Sequence, residues 1–154
     1  MNDQSPKTVR IAVVKAQWHA NFVDACVDSF TAEVGQKLGS TAEITTLSVP
    51  GAFEIPLIAK RLILADRADL VLGCAFVVDG GIYRHDFVSA AVVNGLMTVG
   101  LETGRPVLSA VLTPHNFQPS DFHESAFMAH FVTKGKEAAE ACAVMLSDAS
   151  LALR

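Results

Sequence analysis

An arginine followed directly by a histidine, Arg84 and His85, is the pair of residues in this sequence best suited to charge and proton chemistry. An imidazole exchanges protons near neutral pH, whereas a guanidinium keeps its charge and can hold a phosphate or a developing oxyanion. The pair lies at the start of a predicted helix, where the helix dipole disfavours a cation, so a compensating use of the charge is expected. The alternative is that Asp86 supplies the negative charge that a helix start prefers, while Arg84 extends into solvent.

Trp18, the only tryptophan, lies in the loop that follows the first predicted strand. A flat indole in such a loop can stack on a heterocycle, a contact worth about 1–3 kcal/mol by analogy with base–aromatic stacking. The alternative is a tryptophan that packs in the core or in a subunit interface. The residue type and its position leave both interpretations open.

Residues 49–56, VPGAFEIP, place a Pro-Gly turn directly before a predicted helix. The free N–H groups at such a helix start can bind a carbonyl-rich heterocycle or a hydroxylated chain. Glu54 lies in the first turn and has a plainer alternative role, which is to complement the positive end of the helix dipole.

Other kinds of site lack their sequence signals. There is no glycine-rich motif for a dinucleotide or a nucleotide phosphate, and there is no nucleophilic-serine elbow. The histidines at 115, 123 and 130 do not have the spacing of zinc ligands, so we expect no metal site. The three cysteines are widely spaced among apolar neighbours, and we interpret them as reduced packing residues, with a catalytic thiol as the alternative.

The elements that must position these residues alternate between strand and helix patterns. Apolar β-branched runs predict strands, and apolar residues three and four apart predict helices. The predicted strands cover residues 9–14, 42–49, 69–78 and 107–112, and the predicted helices cover residues 22–34, 54–64, 85–102 and the chain from 120 onward, with a break near Gly135. Such alternation predicts an α/β fold with a four-stranded parallel sheet and helices on both faces. Sites in these sheets lie beyond the carboxyl ends of the strands, where the loops described above fall.

Composition limits the class of protein and its partners. The chain has 154 residues, of which 51% are hydrophobic and 18% charged, and its net charge is −4. This size predicts one domain over residues 1–154, while the composition excludes a disordered chain and disfavours nucleic acid as a partner. The first residues are polar and no apolar run approaches the roughly 20 residues of a membrane span, so we expect a cytoplasmic protein without membrane contact. The apolar excess predicts burial between subunits of a homo-oligomer.

Taken together, these loops resemble those of the lumazine synthases over essentially the whole chain. The resemblance is carried by residues 49–56, by the strand around Gly73 that leads to HDFV at 85–88, and by PVLSAVLT at 106–113. The segment 79–87, DGGIYRHDF, together with Trp18, is similar to the second type of this family, which occurs in some α-proteobacteria.

The resemblance implies a flavodoxin-like, three-layer αβα sandwich and a transferase activity. Such an enzyme joins 5-amino-6-(D-ribitylamino)uracil to 3,4-dihydroxy-2-butanone 4-phosphate and forms 6,7-dimethyl-8-ribityllumazine, the step before riboflavin. The resemblance also implies that no metal or organic cofactor is used, that the protein is a homopentamer that pairs into a decamer, and that riboflavin synthase is a candidate pathway partner.

The resemblance further implies positions for the site. Arg84 takes the place of the family's proton-carrying histidine, with His85 beside it as the better proton carrier by its chemistry. His123 takes the place of an arginine that binds phosphate. Trp18 would stack on the pyrimidine, and Ser109 would approach the ring from a neighbouring subunit. The remaining expected substrate contacts are Ala52, Phe53 and Glu54 toward the ribityl chain and ring, and the backbone of Phe76, Val77 and Val78 toward the pyrimidine.

A second function from another class stands beside the synthase. Because Trp18 could stack on an isoalloxazine as readily as on a pyrimidine, the chain could be a flavin- or lumazine-binding scaffold with weak residual synthase activity. An unrelated flavodoxin-like binder is disfavoured by the number of loops that match.

Overall fold

Four parallel strands form the centre of the structure, a computed structural model that describes residues 7–79, 82, 84–114 and 120–147. The strands are β1 (Val9–Ala16), β2 (Ala42–Val49), β3 (Leu70–Phe76) and β4 (Val107–Leu112), and they alternate with the helices α1 (Ala20–Leu38), α2 (Ile55–Leu64), α3 (His85–Thr103) and α4 (Asp121–Met145). Short 3-10 turns, Gly39–Thr41 and Ala52–Glu54, precede β2 and α2. No helix in the described part of the chain combines the length and the hydropathy that a membrane-spanning segment requires.

The sheet is covered on both faces because its strands are apolar on both sides. In β1, Ile11 and Val13 contribute to one core while Ala12 and Val14 contribute to the other, as the two-residue period of a strand requires. One core joins the sheet to α2 and α3, and the other joins it to α1 and α4. The central strand β3 is buried along its whole length. The predicted αβα sandwich with a four-stranded parallel sheet is confirmed.

The predicted break of the last helix near Gly135 is wrong, because α4 runs without interruption from Asp121 to Met145. A Cβ atom at residue 135 would lie 2.4 Å from the carbonyl oxygen of Cys26 and 2.8 Å from the Cβ atom of Ser29, both in α1. The Ser29 hydroxyl also donates a hydrogen bond of 2.7 Å to the carbonyl of Val132 in α4. The glycine therefore permits a close approach of two helices and does not end one.

An ion-pair network lies at the amino ends of the strands, away from the loops of interest. Arg10 contacts Asp66 at 2.8 Å and Asp69 at 3.0 Å, and Arg105 contacts Asp66 at 2.9 Å. Hydrogen bonds from the two arginines lower the pKa of Asp66 to about 2, so this carboxylate stays charged at neutral pH. The network ties the start of β1 to the connections that enter β3 and β4.

The path of the chain through the sheet reverses between β1 and β3. The strand order is β2-β1-β3-β4, so the chain moves from β1 to one edge and then returns past β1 to β3 and β4. The loops that follow β1 and β3 therefore lie on either side of a crevice at the carboxyl edge of the sheet. Open α/β sheets bind their ligands at this point.

Candidate functional site at the carboxyl edge of the sheet

The loops after β1 and β2 are joined by direct contacts. The Gln17 N–H donates a hydrogen bond of 3.1 Å to the carbonyl of Val49, which extends the pairing of the two strands. The indole of Trp18 lies against Gly51, where a Cβ atom would come within 2.4 Å of the ring. His19 adopts a left-handed conformation with φ of 51° and begins α1. Trp18 is 37% exposed and belongs to neither hydrophobic core, which removes the alternative of a core tryptophan within this chain.

The turn before α2 places the three expected substrate-binding residues in different environments. The Ala52 side chain is fully buried, whereas the Phe53 ring is 64% exposed. A carboxylate oxygen of Glu54 accepts a hydrogen bond of 2.9 Å from the Gly51 N–H. One carboxylate oxygen of Glu54 therefore stabilises the turn that leads into α2, which is the alternative role expected from the sequence. Pro56 lies in the first turn of α2, where its missing N–H costs nothing.

The carboxyl end of β3 presents backbone and not side chains to the crevice. The Phe76 ring is buried and packs edge-on against Phe131 with ring centroids 4.9 Å apart. The Val77 side chain is buried as well, and its N–H donates to the carbonyl of Leu112 at 2.9 Å. β3 thus ends at Phe76, two residues before the predicted end, although one further hydrogen bond continues toward β4. The half-buried Val78 leaves the sheet at this point.

The start of α3 places Arg84 and His85 beside each other. The exposed Arg84 guanidinium forms an ion pair of 2.9 Å with Asp86 and lies 4.3 Å from the centre of the Phe87 ring. The hydrogen bond from Arg84 lowers the pKa of Asp86 below its usual range. His85 is the first residue of α3, and its carbonyl accepts a hydrogen bond of 2.7 Å from the hydroxyl of Ser89. The cation at this helix start is therefore compensated by the carboxylate two residues further on.

A shallow cleft of about 320 Å³ opens between the first turns of α3 and the end of β4. Its lining residues are His85, Asp86, Ser89, Ala90, Val93, Asn94 and Thr113. Sequence reasoning missed Ser89 and Asn94 as polar groups near His85. Ser89 lies four residues after His85, and Asn94 lies eight residues, about two helical turns, after Asp86, and this spacing could have found them.

His123 is connected to the carboxyl end of β3 by contacts between aromatic rings. Its ring centre is 6.2 Å from that of Phe127, which in turn is 5.8 Å from that of Phe76. The His123 N–H is capped by the Ser120 hydroxyl at 3.4 Å, so the residue is held in the first turn of α4. Its Nδ1 atom is buried and has no hydrogen-bond partner among the described residues.

Ser109 is not brought together with the other expected site residues of its own chain. It lies in the middle of the edge strand β4, opposite Gly73, and is exposed. Beside it is a cleft of about 240 Å³ that Lys134 and Glu137 of α4 also line. Parts of the predicted loops, at 80, 81, 83 and 115–119, lie outside the described residues.

The described residues offer no metal centre, and their three thiols lie in the core between the sheet and the helices α1 and α4. No group of three or more histidine, cysteine or acidic side chains among them could hold a metal ion. All three cysteines are free and buried. Burial raises the pKa of the Cys142 thiol to about 12, which keeps it protonated at neutral pH.

Fold and loops together define a flavodoxin-like α/β protein with its candidate site at the carboxyl edge of a parallel sheet. The sequence model of the family described as 6,7-dimethyl-8-ribityllumazine synthase matches residues 8–149. The chain belongs to this family, as the resemblance of its loops predicted.

Several similar proteins are named after the reaction that describes this family. The 6,7-dimethyl-8-ribityllumazine synthase of Rhodococcus erythropolis is 49% identical over 86% of this chain and 85% of its own length. Proteins named 6,7-dimethyl-8-ribityllumazine synthase 2 are 47% identical in Pseudomonas syringae pv. tomato, over 90% of this chain and 81% of that protein, and 43% identical in Bradyrhizobium diazoefficiens, over 89% and 82%. These names agree with the resemblance to the second type of the family.

Proposed function

We propose that this chain condenses 5-amino-6-(D-ribitylamino)uracil with 3,4-dihydroxy-2-butanone 4-phosphate to 6,7-dimethyl-8-ribityllumazine, the penultimate step of riboflavin biosynthesis. The observation that carries this proposal is the match of the synthase family to residues 8–149, which includes every described loop of the candidate site. The same extent supports a single domain over the whole chain. We place the reaction in the cytoplasm, with riboflavin synthase as the candidate partner that consumes the product.

The pyrimidine substrate is assigned to the crevice between the loops after β1 and β3. Trp18 supplies an aromatic surface there. The polar contacts at the other side are assigned to the backbone of Val78, which follows the Val77 N–H that donates to Leu112. Because the Ala52 side chain is buried and one Glu54 oxygen is used by the turn, we assign the ribityl chain to the exposed Phe53 ring and to the remaining polar groups of this turn. Two held substrates gain much of their rate from proximity.

The second substrate is assigned to the start of α3 because its phosphate needs a fixed positive charge. The 5-amino group of the uracil attacks the ketone, and water leaves to form an imine. A proton is removed as phosphate leaves, and the resulting enol tautomerises to a ketone. The ribitylamino nitrogen then attacks this ketone, and a second water leaves as the ring closes. A guanidinium does not act as a general base, so the role assigned to Arg84 is to stabilise negative charge as phosphate leaves. His85 lines the adjacent cleft and is the group suited to carry protons between these steps. His123 takes the phosphate position that the family resemblance implies.

Turnover distinguishes this function from a binding scaffold. A synthase forms fluorescent lumazine from the two substrates over many cycles. A flavin- or lumazine-binding scaffold binds riboflavin tightly and forms product only in traces. Both quantities should be measured on one preparation, and tight riboflavin binding without turnover would support the scaffold instead.

The assembly is proposed to be a homopentamer, paired into a decamer. The support is a row of exposed apolar residues, Val93, Met97 and Leu101, at every fourth position of α3. The exposed Ser109 on the open edge of the sheet is placed to serve a neighbouring subunit's site. Light scattering at micromolar concentration is expected to give the mass of five or ten chains, and a monomer would contradict the proposal. Dissociation into single chains should abolish activity.

Replacing Trp18 by alanine is expected to weaken the binding of the pyrimidine or the lumazine by about 1–3 kcal/mol, because a stacking surface is lost. The fold should stay intact, since the indole belongs to neither core. The assembly should stay intact as well, because the proposed role places the indole against substrate and not against a neighbouring subunit. Calorimetric titration with the product and light scattering measure the two effects. If binding is unchanged while the assembly dissociates, Trp18 is an interface residue.

A further inference from the structure

Gly51 is a glycine whose backbone does not require one. Its φ of −147° and ψ of −177° are ordinary extended values that any residue adopts. What restricts the residue type at position 51 is the space around it. A Cβ atom at residue 51 would lie 2.4, 2.6 and 2.9 Å from Cζ2, Cε2 and Cη2 of Trp18. Carbon atoms that are not bonded prefer about 3.5–4.0 Å, so any side chain here must displace the indole or the turn.

The turn is the less movable of these two partners. Gly51 is buried, and its N–H donates to the Glu54 carboxylate at 2.9 Å. Two residues earlier, Val49 ends β2, and its carbonyl accepts the hydrogen bond of 3.1 Å from the Gln17 N–H. The indole, by contrast, is more than one-third exposed, so solvent borders part of the ring. A side chain at residue 51 is therefore expected to move Trp18.

We propose that Gly51 is a positioning residue for Trp18. The missing Cβ atom lets the six-membered ring of the indole lie on the turn before α2, and this contact sets the plane that the indole offers to the pyrimidine. The inference rests on the proposed function, in which Trp18 stacks on that substrate. It couples residues 18 and 51, because a larger residue at one position requires a smaller ring at the other.

The emission of the single tryptophan tests this contact without substrate. Gly51→Ala is expected to shift the emission of Trp18 to longer wavelength and to increase its quenching by acrylamide, because the indole is displaced toward solvent. Gly35→Ala is the matched control, since Gly35 lies inside α1 and a Cβ atom there meets nothing within 4 Å. Its emission should equal that of the wild type.

Kinetics test whether the contact matters for the reaction. Gly51→Ala should raise the KM for the pyrimidine about tenfold, as expected for a weakened stacking contact. The KM for the phosphate-bearing ketone should change by no more than about twofold. In a Trp18→Ala background the same Gly51→Ala change should alter the KM for the pyrimidine by no more than about twofold, because the displaced ring is already absent.

Several results would overturn the proposal. They are wild-type emission in Gly51→Ala, an emission shift without a change in KM, and an equal effect on KM in the Trp18→Ala background. If Gly51→Ala does not fold, the double variant decides, because restored folding supports steric coupling and continued misfolding contradicts it. If the wild-type chain forms no lumazine, the proposed function fails, while the emission experiment still decides whether Gly51 positions the indole.

Discussion

Arg84→Ala is expected to raise the KM for the phosphate-bearing substrate and to lower kcat, with a combined loss in kcat/KM of about 10²-fold or more. Removing one preorganised group that stabilises developing negative charge typically costs this much. The guanidinium lies 4.3 Å from the centre of the Phe87 ring and 2.9 Å from Asp86, at the helix start to which the phosphate is assigned. Arg84→Lys keeps the charge but loses the planar fork, and it should recover only part of the activity.

The ion pair between Arg84 and Asp86 offers a control that does not depend on turnover. Because Arg84 lowers the pKa of Asp86, the pair is present at neutral pH and is lost as the pH falls through the lowered value. In Arg84→Ala the Asp86 pKa should rise toward the ordinary range of a free carboxyl group, which carboxyl NMR measures. A risen Asp86 pKa together with wild-type kinetics would show that Arg84 serves only the helix start.

His85→Gln is expected to lower kcat by about 10²-fold, because general acid–base catalysis contributes this much and glutamine cannot carry a proton at neutral pH. The KM for the phosphate-bearing substrate should change little, since the guanidinium remains in place. The acidic limb of the pH–rate profile should also flatten, since the proposed proton carrier is removed. Steady-state kinetics between about pH 5 and pH 9 measure these effects.

Asn94→Ala is a matched control for His85→Gln. Asn94 lines the same cleft but carries no proton in this pH range, so its removal should leave the shape of the profile unchanged. If His85→Gln retains full activity and an unchanged profile, the histidine is structural. Proton transfer then passes through solvent or the leaving phosphate.

The spacing of apolar residues along the chain predicted most of the fold, because the residues buried in the two cores follow that spacing closely. The observed β2 and β4 have the predicted bounds, since a turn signal or an apolar run marks each end. The predicted end of β3 was too late, because the apolar run continues through Val77 and Val78 after the strand ends. Gly135 was misread because a glycine in a helical pattern favours a helix end, whereas its reason is the neighbouring helix.

The candidate site was predicted less completely, since its contacts join segments that are distant in the chain. Trp18 and Gly51 lie in two loops that the sequence marked as candidate binding loops. Their mutual contact arises only when β1 and β2 pair in register. The role of the Glu54 carboxylate was predicted only as an alternative, because a helix start and a ligand compete for the same oxygen atoms. Ser109 is exposed at a sheet edge, so no contact within one chain tests its expected role.

The most direct test of the proposed synthase follows lumazine fluorescence and released inorganic phosphate in one reaction of the wild-type protein. The condensation predicts one phosphate for each lumazine formed through many turnovers, a rate of phosphate release that depends on the uracil substrate, and little release in its absence. Phosphate released without the uracil, or tight lumazine binding with no product formed from the two substrates, would contradict the assignment of this chain as a lumazine-forming enzyme.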